Sequence, residues 1–111
     1  MRRVIVESPY AAETQLVFEQ YLQYRQAAMR DAIARGEAPF AGHAMYPGVL
    51  NDNDPAQRAL GIAMSLEWMR VAEAVVVYQD LGVSRGMGKG VEYGRELGLL
   101  VEFRTLNGGW T

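Results

Sequence analysis

The chain has 111 residues, of which half are hydrophobic and 22% are charged, with a formal net charge of −2, one histidine and no cysteine. This length suits a single domain with its own core, and the missing cysteines exclude disulfides, thiol nucleophiles and cysteine-ligated zinc. The small net charge predicts no nucleic-acid partner, and no apolar run reaches membrane-spanning length, so we expect no membrane partner. The lack of cysteine fits a cytoplasmic protein, the single histidine excludes a histidine-rich metal site, and we expect neither a metal nor a cofactor.

The first half of the chain predicts a strand, a helix and a second strand. Residues 2–6 predict a short strand, apolar over 4–6 after two arginines, and the stretch 7–10 breaks it because proline at residue 9 fixes φ and lacks a backbone donor. From residue 11 to residue 35, apolar residues recur at three- and four-residue spacing, which predicts a long helix that stops at Gly36. A second strand is predicted to end near Ala41, and a turn-rich loop follows it.

The second half of the chain predicts two more helices and two more strands. Asp54 followed by Pro55 is typical of a helix cap with proline in the first turn. The unbroken apolar run 74–78 indicates a buried central strand. Ser84 is placed to cap a third helix, and residues 99–105 form a last strand.

The order of these elements, β-α-β-α-β-α-β, predicts an α/β fold. We expect a mostly parallel four-stranded sheet with right-handed crossovers and helices on both faces. One domain is expected over residues 1–106, with a flexible tail over 107–111. Ligands of such sheets bind beyond the carboxyl ends of the strands, so the loops 7–12, 41–46 and 80–87 are expected to meet at one site.

Most residues of distinctive chemistry fall in these three loops. Ser84 caps a helix start whose free N–H groups attract an anion, and Arg85 can add a two-pronged contact to a phosphate. The alternative is a plain connection in which the glycines serve only the turn. Tyr10 can stack on a base, while His43 can bond to a phosphate or ribose or be an ordinary loop residue. The predicted ligand-binding residues are Glu7, Ser8, Pro9, Tyr10, Ala41, His43, Tyr46, Asp80, Gly82, Ser84, Arg85, Gly86 and Met87.

Taken together, these motifs resemble small phage and bacterial proteins related to nucleoside 2-deoxyribosyltransferases, including the DUF4406-like group. The resemblance is carried by residues 8–10 (Ser-Pro-Tyr), by residues 39–43 after the long helix, and by the run 74–78 before the turn 82–86. It implies a compact flavodoxin-like sandwich and enzymes that cleave or transfer at the N-glycosidic bond of a nucleoside or nucleotide. It also implies a homo-oligomer.

The resemblance further implies a glutamate nucleophile on the third helix, and counting back from Val101 places that position at Gly90. Glycine cannot attack an anomeric carbon or stabilise an oxocarbenium-like centre. Glu92 is rotated well away from the expected face, at about 100° per residue. Glu7 and Asp80, each at the end of a strand, are the other candidate carboxylates. Either one acts as a ribose contact or general base, or it pairs with an arginine and has no catalytic role.

Three functions are compatible with this pattern. The first is a nucleotide-binding protein without turnover, which in a phage would sequester a nucleotide second messenger of host immunity in the host cytoplasm. The second is an N-glycosidase or 2-deoxyribosyltransferase that uses one of the displaced carboxylates. The third is an interaction module whose working surface is the stripe Leu60, Met64 and Trp68. We rank nucleotide binding first, because the sequence has the loop motifs expected of the site but has a glycine where the resemblance implies the glutamate nucleophile.

Overall fold

The computed structural model describes residues 1–110 and contains one four-stranded sheet covered by helices on both faces. The elements are β1 (Arg2–Glu7), α1 (Gln15–Ala34), β2 (Glu37–Phe40), α2 (Pro55–Met69), β3 (Ala74–Tyr78), α3 (Arg85–Glu96) and β4 (Leu100–Arg104). The strands lie in the order β2-β1-β3-β4, and every neighbouring pair is parallel. This confirms the predicted α/β, flavodoxin-like fold. None of the helices within residues 1–110 has the length and apolar character needed to cross a membrane.

Helix boundaries follow the capping residues of the sequence. Thr14, Asp54 and Ser84 each accept a hydrogen bond from a backbone N–H in the first turn of α1, α2 and α3. Each bond satisfies a donor that the helix leaves without a partner. Gly36 and Gly98 follow α1 and α3 with φ angles of 80° and 78°, which glycine adopts without strain. The predicted start of α1 at residue 11 is early, because Thr14 is the residue that caps the helix.

Side chains that alternate along the strands build two hydrophobic cores, one on each face of the sheet. On one face α1 packs on residues that include Val4, Val6 and Val76. On the other face Met69 of α2 and residues of α3 pack on a second set that includes Ile5. Because successive residues of a strand point to opposite faces, Glu7 lies on the same face as Ile5, towards α2 and α3.

A cluster of charged side chains stabilises the α1 face of the sheet. Arg104 on β4 donates hydrogen bonds of 2.8 Å to both carboxylate oxygens of Glu37 on β2, and one of 2.6 Å to Glu102. Arg2 on β1 donates a further bond of 2.6 Å to Glu37. These bonds, with those from Arg104 the largest cause, lower the pKa of Glu37 to about 2. The cluster therefore links β1, β2 and β4 through side chains.

The segment after β4 returns towards α1. Leu106 and Trp110 pack against the α1-side core, and the ring of Trp110 meets that of Tyr24 edge-on with centroids 5.1 Å apart. The flexibility expected for residues 107–111 and the domain boundary at residue 106 stay predictions. Thr111, the last residue of that segment, lies outside the described residues.

Candidate functional site

A cleft with a volume of about 910 Å³ opens at the carboxyl end of β1, between α2, α3 and the loops that follow β1 and β2. Small-molecule sites are commonly of this size. The chain passes from β1 to β2 on one side and then crosses to β3 on the other, so the strand order reverses beside β1. Parallel α/β sheets bind ligands at such a reversal.

The structure brings part of the predicted set together in this cleft. The predicted residues that line it are Glu7, Tyr10, His43, Tyr46, Ser84, Arg85 and Gly86. Ser8, Pro9 and Ala41 are buried in the loops that follow β1 and β2, and Met87, in the first turn of α3, is buried in the core between α3 and the sheet. Gly82 is exposed, with a φ of 88°, in the turn before α3. These five residues do not line the cleft, and of them Ser8 bonds to His43 in its wall.

An aromatic wall is formed by the loops after β1 and β2. The ring of Tyr10 stands edge-on to that of His43, with centroids 6.2 Å apart. Nε2 of His43 lies 2.7 Å from Oγ of the buried Ser8, which positions the imidazole. Burial, with the charge of Arg25 as a second cause, lowers the pKa of His43 to about 4. The ring is therefore neutral at physiological pH and acts as a hydrogen-bonding and packing group.

The first turn of α3 forms a positively charged end of the cleft. The backbone N–H of Met87 donates to Oγ of Ser84 at 3.3 Å, while helix geometry leaves the N–H groups of Arg85 and Gly86 without an intrahelical acceptor. The exposed side chains of Arg85 and Lys89 also line the cleft. Neither forms an ion pair with a described residue. The dipole of α3 and these two charges favour an anion at this end.

Glu7 places a carboxyl group in the cleft at the end of β1. The side chain is partly exposed, and within residues 1–110 no hydrogen bond or ion pair reaches it. Burial by the surrounding protein raises its pKa to about 8. At pH 7 this carboxyl group is therefore mostly protonated and neutral, so it can donate a hydrogen bond as well as accept one.

Gly90 on α3 makes the room that this carboxyl group occupies. A Cβ atom at residue 90 would lie 2.6 Å from Cδ of Glu7 and 2.7 Å from each carboxylate oxygen. One helical turn later, a Cβ at Gly94 would lie 2.6 Å from Cγ2 of Val75 on β3. The two glycines therefore let α3 approach the sheet closely, one over an apolar side chain and the other over Glu7. The Gly-x-x-x-Gly spacing of residues 90–94 is the sequence signal for this contact.

The two other candidate carboxylates are placed differently. Asp80 does not line the cleft: it accepts a 2.6 Å hydrogen bond from the hydroxyl of Tyr24 and bonds of 2.9 and 3.1 Å from the backbone N–H groups of Leu106 and Asn107. These bonds give Asp80 a structural role in holding the C-terminal segment on α1. Glu92 lines the cleft but is exposed.

Sequence reasoning missed the wall that α2 contributes. Gly61, Ser65 and Met69 line the cleft along this helix. Gly42 packs so closely on α2 that any side chain there would collide with Ser65. Arg58 also lines the cleft, and Nη1 of this residue lies 3.7 Å from the carboxylate of Asp52. Residues 1–110 contain no group of three or more acidic or histidine side chains that could hold a metal ion.

Two solved structures share this fold. A 2-deoxyribosyltransferase from the psychrotolerant bacterium Bacillus psychrosaccharolyticus superposes with a TM-score of 0.74 at 16% identity, covering 96% of this chain and 74% of that one. The CMP N-glycosidase BcmB of Clostridium botulinum superposes with a TM-score of 0.55 at 13% identity, covering 99% and 75%. At these identities the likeness concerns the fold alone, and it confirms the expected likeness to the 2-deoxyribosyltransferase fold. No curated protein sequence matches the chain.

A family match covers nearly the whole chain. Residues 2–104 match the family described as a domain of unknown function, DUF7768. That span contains all seven helices and strands described above and every residue that lines the cleft. The chain therefore belongs to the DUF7768 family.

Proposed function

We propose that this protein binds a nucleoside or nucleotide in the cleft beside β1. One observation carries the proposal: a single cleft of about 910 Å³ combines an aromatic wall, a positively charged helix start and a neutral carboxyl group. A nucleotide offers a matching group to each, namely a base, a phosphate and a sugar with hydroxyls. The fold neighbours, named as a 2-deoxyribosyltransferase and a CMP N-glycosidase, support this class of ligand.

The charges of the cleft favour a phosphorylated ligand. The phosphate would accept hydrogen bonds from the backbone N–H groups of Arg85 and Gly86, and the side chains of Arg85 and Lys89 would neutralise it. The base would lie against Tyr10, because an aromatic ring binds the face of a base without reading its identity. Glu7 would then meet the sugar or the edge of the base.

Binding alone is enough for sequestration. A protein of this kind encoded by a phage would withdraw a nucleotide second messenger from immunity in the host cytoplasm. This finer function is a proposal that follows from the missing carboxylate at Gly90. We also propose that the protein forms a homo-oligomer and that it is related to the DUF4406-like group.

Calorimetry with Arg85→Ala tests the proposal. Nucleosides, nucleoside monophosphates that include CMP and dCMP, and cyclic nucleotides form the ligand panel. We expect at least one monophosphate to bind, and Arg85→Ala to weaken it by about 1.5–3 kcal/mol, the scale of a charged hydrogen bond. Arg30→Ala, which removes an exposed arginine of α1 outside the cleft, is the matched control and is expected to leave affinity unchanged.

Two results would count against this arrangement. If the folded protein bound no member of the panel, the proposed function would be rejected. If Arg85→Ala bound as tightly as the wild type, the phosphate would have to lie elsewhere in the cleft.

A further inference from the structure

We infer that Glu7 is a catalytic residue whose carboxyl group protonates the leaving base of a bound nucleoside or nucleotide, so that the protein hydrolyses the N-glycosidic bond. This inference rests on the proposed function, because it requires the ligand to lie in the same cleft. It keeps the binding proposed above but replaces sequestration without turnover by hydrolysis, and it assigns that activity to a residue on β1.

The Glu7 side chain has no hydrogen-bond or ion-pair partner among the described residues. Glu37, on the neighbouring strand, is held by Arg104 and Arg2, whereas no described residue bonds to the carboxyl group of Glu7. Glu7 therefore contributes no side-chain bond to the fold, and its carboxyl group is free to bond to a ligand that enters the cleft.

The second argument is the space over Gly90. Close packing of a helix on a sheet explains a glycine whose neighbour is apolar, as at Gly94 over Val75. At Gly90 the neighbour is the carboxyl group of Glu7 itself, with both oxygens 2.7 Å from the position of a Cβ. A side chain at residue 90 would thus displace the carboxyl group. The glycine keeps that group in position in the cleft.

The third argument is the protonation state of the group. The positive charges of Arg85 and Lys89 stand at the start of α3, and neither is paired with Glu7 in the described part of the chain. Without a cation beside it, a desolvated carboxyl group keeps its proton, and the pKa of Glu7 is raised to about 8. General acids work best when their pKa lies near the working pH, and a carboxyl group in poorly solvated surroundings is a known form of such an acid.

The proposed reaction uses water and restores the enzyme. The bond between C1′ and the base nitrogen breaks, its electron pair stays with the base, and the proton of Glu7 passes to the base. The sugar is left as an oxocarbenium-like centre, which a water molecule attacks at C1′ while giving one proton to the Glu7 carboxylate. One nucleoside or nucleotide and one water thus give one free base and one sugar or sugar phosphate.

Chromatographic detection of released base tests the inference. CMP, dCMP and the corresponding nucleosides are incubated with the wild-type protein, Glu7→Gln and the control Glu19→Gln, an exposed residue of α1 outside the cleft. We expect base release by the wild type and the control, and at least a 100-fold loss in Glu7→Gln, since general acid catalysis contributes about 10²–10⁴-fold. Calorimetry should find Glu7→Gln binding the ligand within about tenfold of the wild type.

The possible failures are distinguishable. Ligand binding by the wild type without any base release would overturn this inference and leave the proposed function standing, whereas the absence of binding would remove both. Base release that Glu7→Gln retains would show that another group is the acid. The pH profile is a second readout: kcat/KM should be constant below about pH 8 and fall above it. A rate that instead rises up to that pH would contradict the acid role of Glu7.

Discussion

Glu7 and Glu37 are glutamates on neighbouring strands, yet the surroundings of their carboxyl groups shift the two pKa values in opposite directions. Glu37, at the start of β2, is buried and bonded by two arginines, and its pKa is lowered to about 2. Glu7, at the end of β1, has no partner among residues 1–110, and its pKa is raised to about 8. The sheet therefore has a charge-paired carboxylate at the amino end of its strands and a neutral, unbonded carboxyl group at their carboxyl end.

The face of the sheet decides this difference. Glu37 points to the α1 face, where Arg104 from β4 reaches across to it. Glu7 points to the opposite face, where its carboxyl group lies against Gly90 and lines the cleft. One carboxyl group thus stabilises the fold, and the other is available for chemistry.

The largest expected effect on stability is that of Glu37→Gln. Arg104 has only 4% of its side chain exposed, so the substitution leaves a buried guanidinium without its main counter-ion. Breaking a buried pair in this way destabilises proteins by about 3–5 kcal/mol, which urea denaturation would measure. Glu67→Gln, which removes an exposed pair with Arg70, should have a much smaller effect. Equal losses of unfolding free energy in the two variants would contradict the structural role of Glu37.

The next effect separates the two glycines of α3. Gly94→Ala drives a methyl group into Val75, a buried β-branched residue that cannot move away, so we expect a loss of about 1–3 kcal/mol. Gly90→Ala meets only the end of the flexible Glu7 side chain, and alanine favours the helix, so its stability should change by less than about 1 kcal/mol. Base release should nevertheless fall in Gly90→Ala. A large loss of stability in that variant would mean that Gly90 serves packing alone.

The smallest effect is the pH dependence of stability. The pKa of Glu7 is above the ordinary 4.5, so the folded state keeps a proton that the unfolded chain loses, and stability should fall as pH rises from about 4.5 to 8. Glu37 has the opposite shift, so stability should rise from about pH 2 to 4.5. Because Glu7 is partly solvated, we expect its titration to lower the free energy of unfolding by about 1–2 kcal/mol between pH 5 and 8.

Denaturation of Glu7→Gln across this pH range isolates the contribution of Glu7. The variant should lose the decline between pH 5 and 8 and keep the rise at acid pH that Glu37 causes. If the free energy of unfolding fell with the same slope in the variant and the wild type, other groups would cause the fall. The raised pKa of Glu7 would then be rejected as its cause.

Local patterns in the sequence determined the fold. The apolar run of β3, the capping residues Thr14, Asp54 and Ser84, and the glycine after α1 are each read from a few neighbouring residues. Since the alternation of strands and helices leaves few topologies that satisfy short right-handed crossovers, these signals also led to the parallel sheet and to the loops that border the cleft.

Only the tertiary structure decided which of those loop residues serve a site. Glu7 ends β1 and Asp80 follows β3 by two residues, but Asp80 is bonded to Tyr24 and the C-terminal segment, whereas Glu7 enters the cleft against Gly90. The sequence pattern likewise did not predict that α2 forms a wall of the cleft. Periodicity and capping depend on residues close in the chain, whereas the approach of α3 to the end of β1 depends on how distant elements pack. The sequence by itself therefore determined the elements, and packing determined where the unbonded carboxyl group lies.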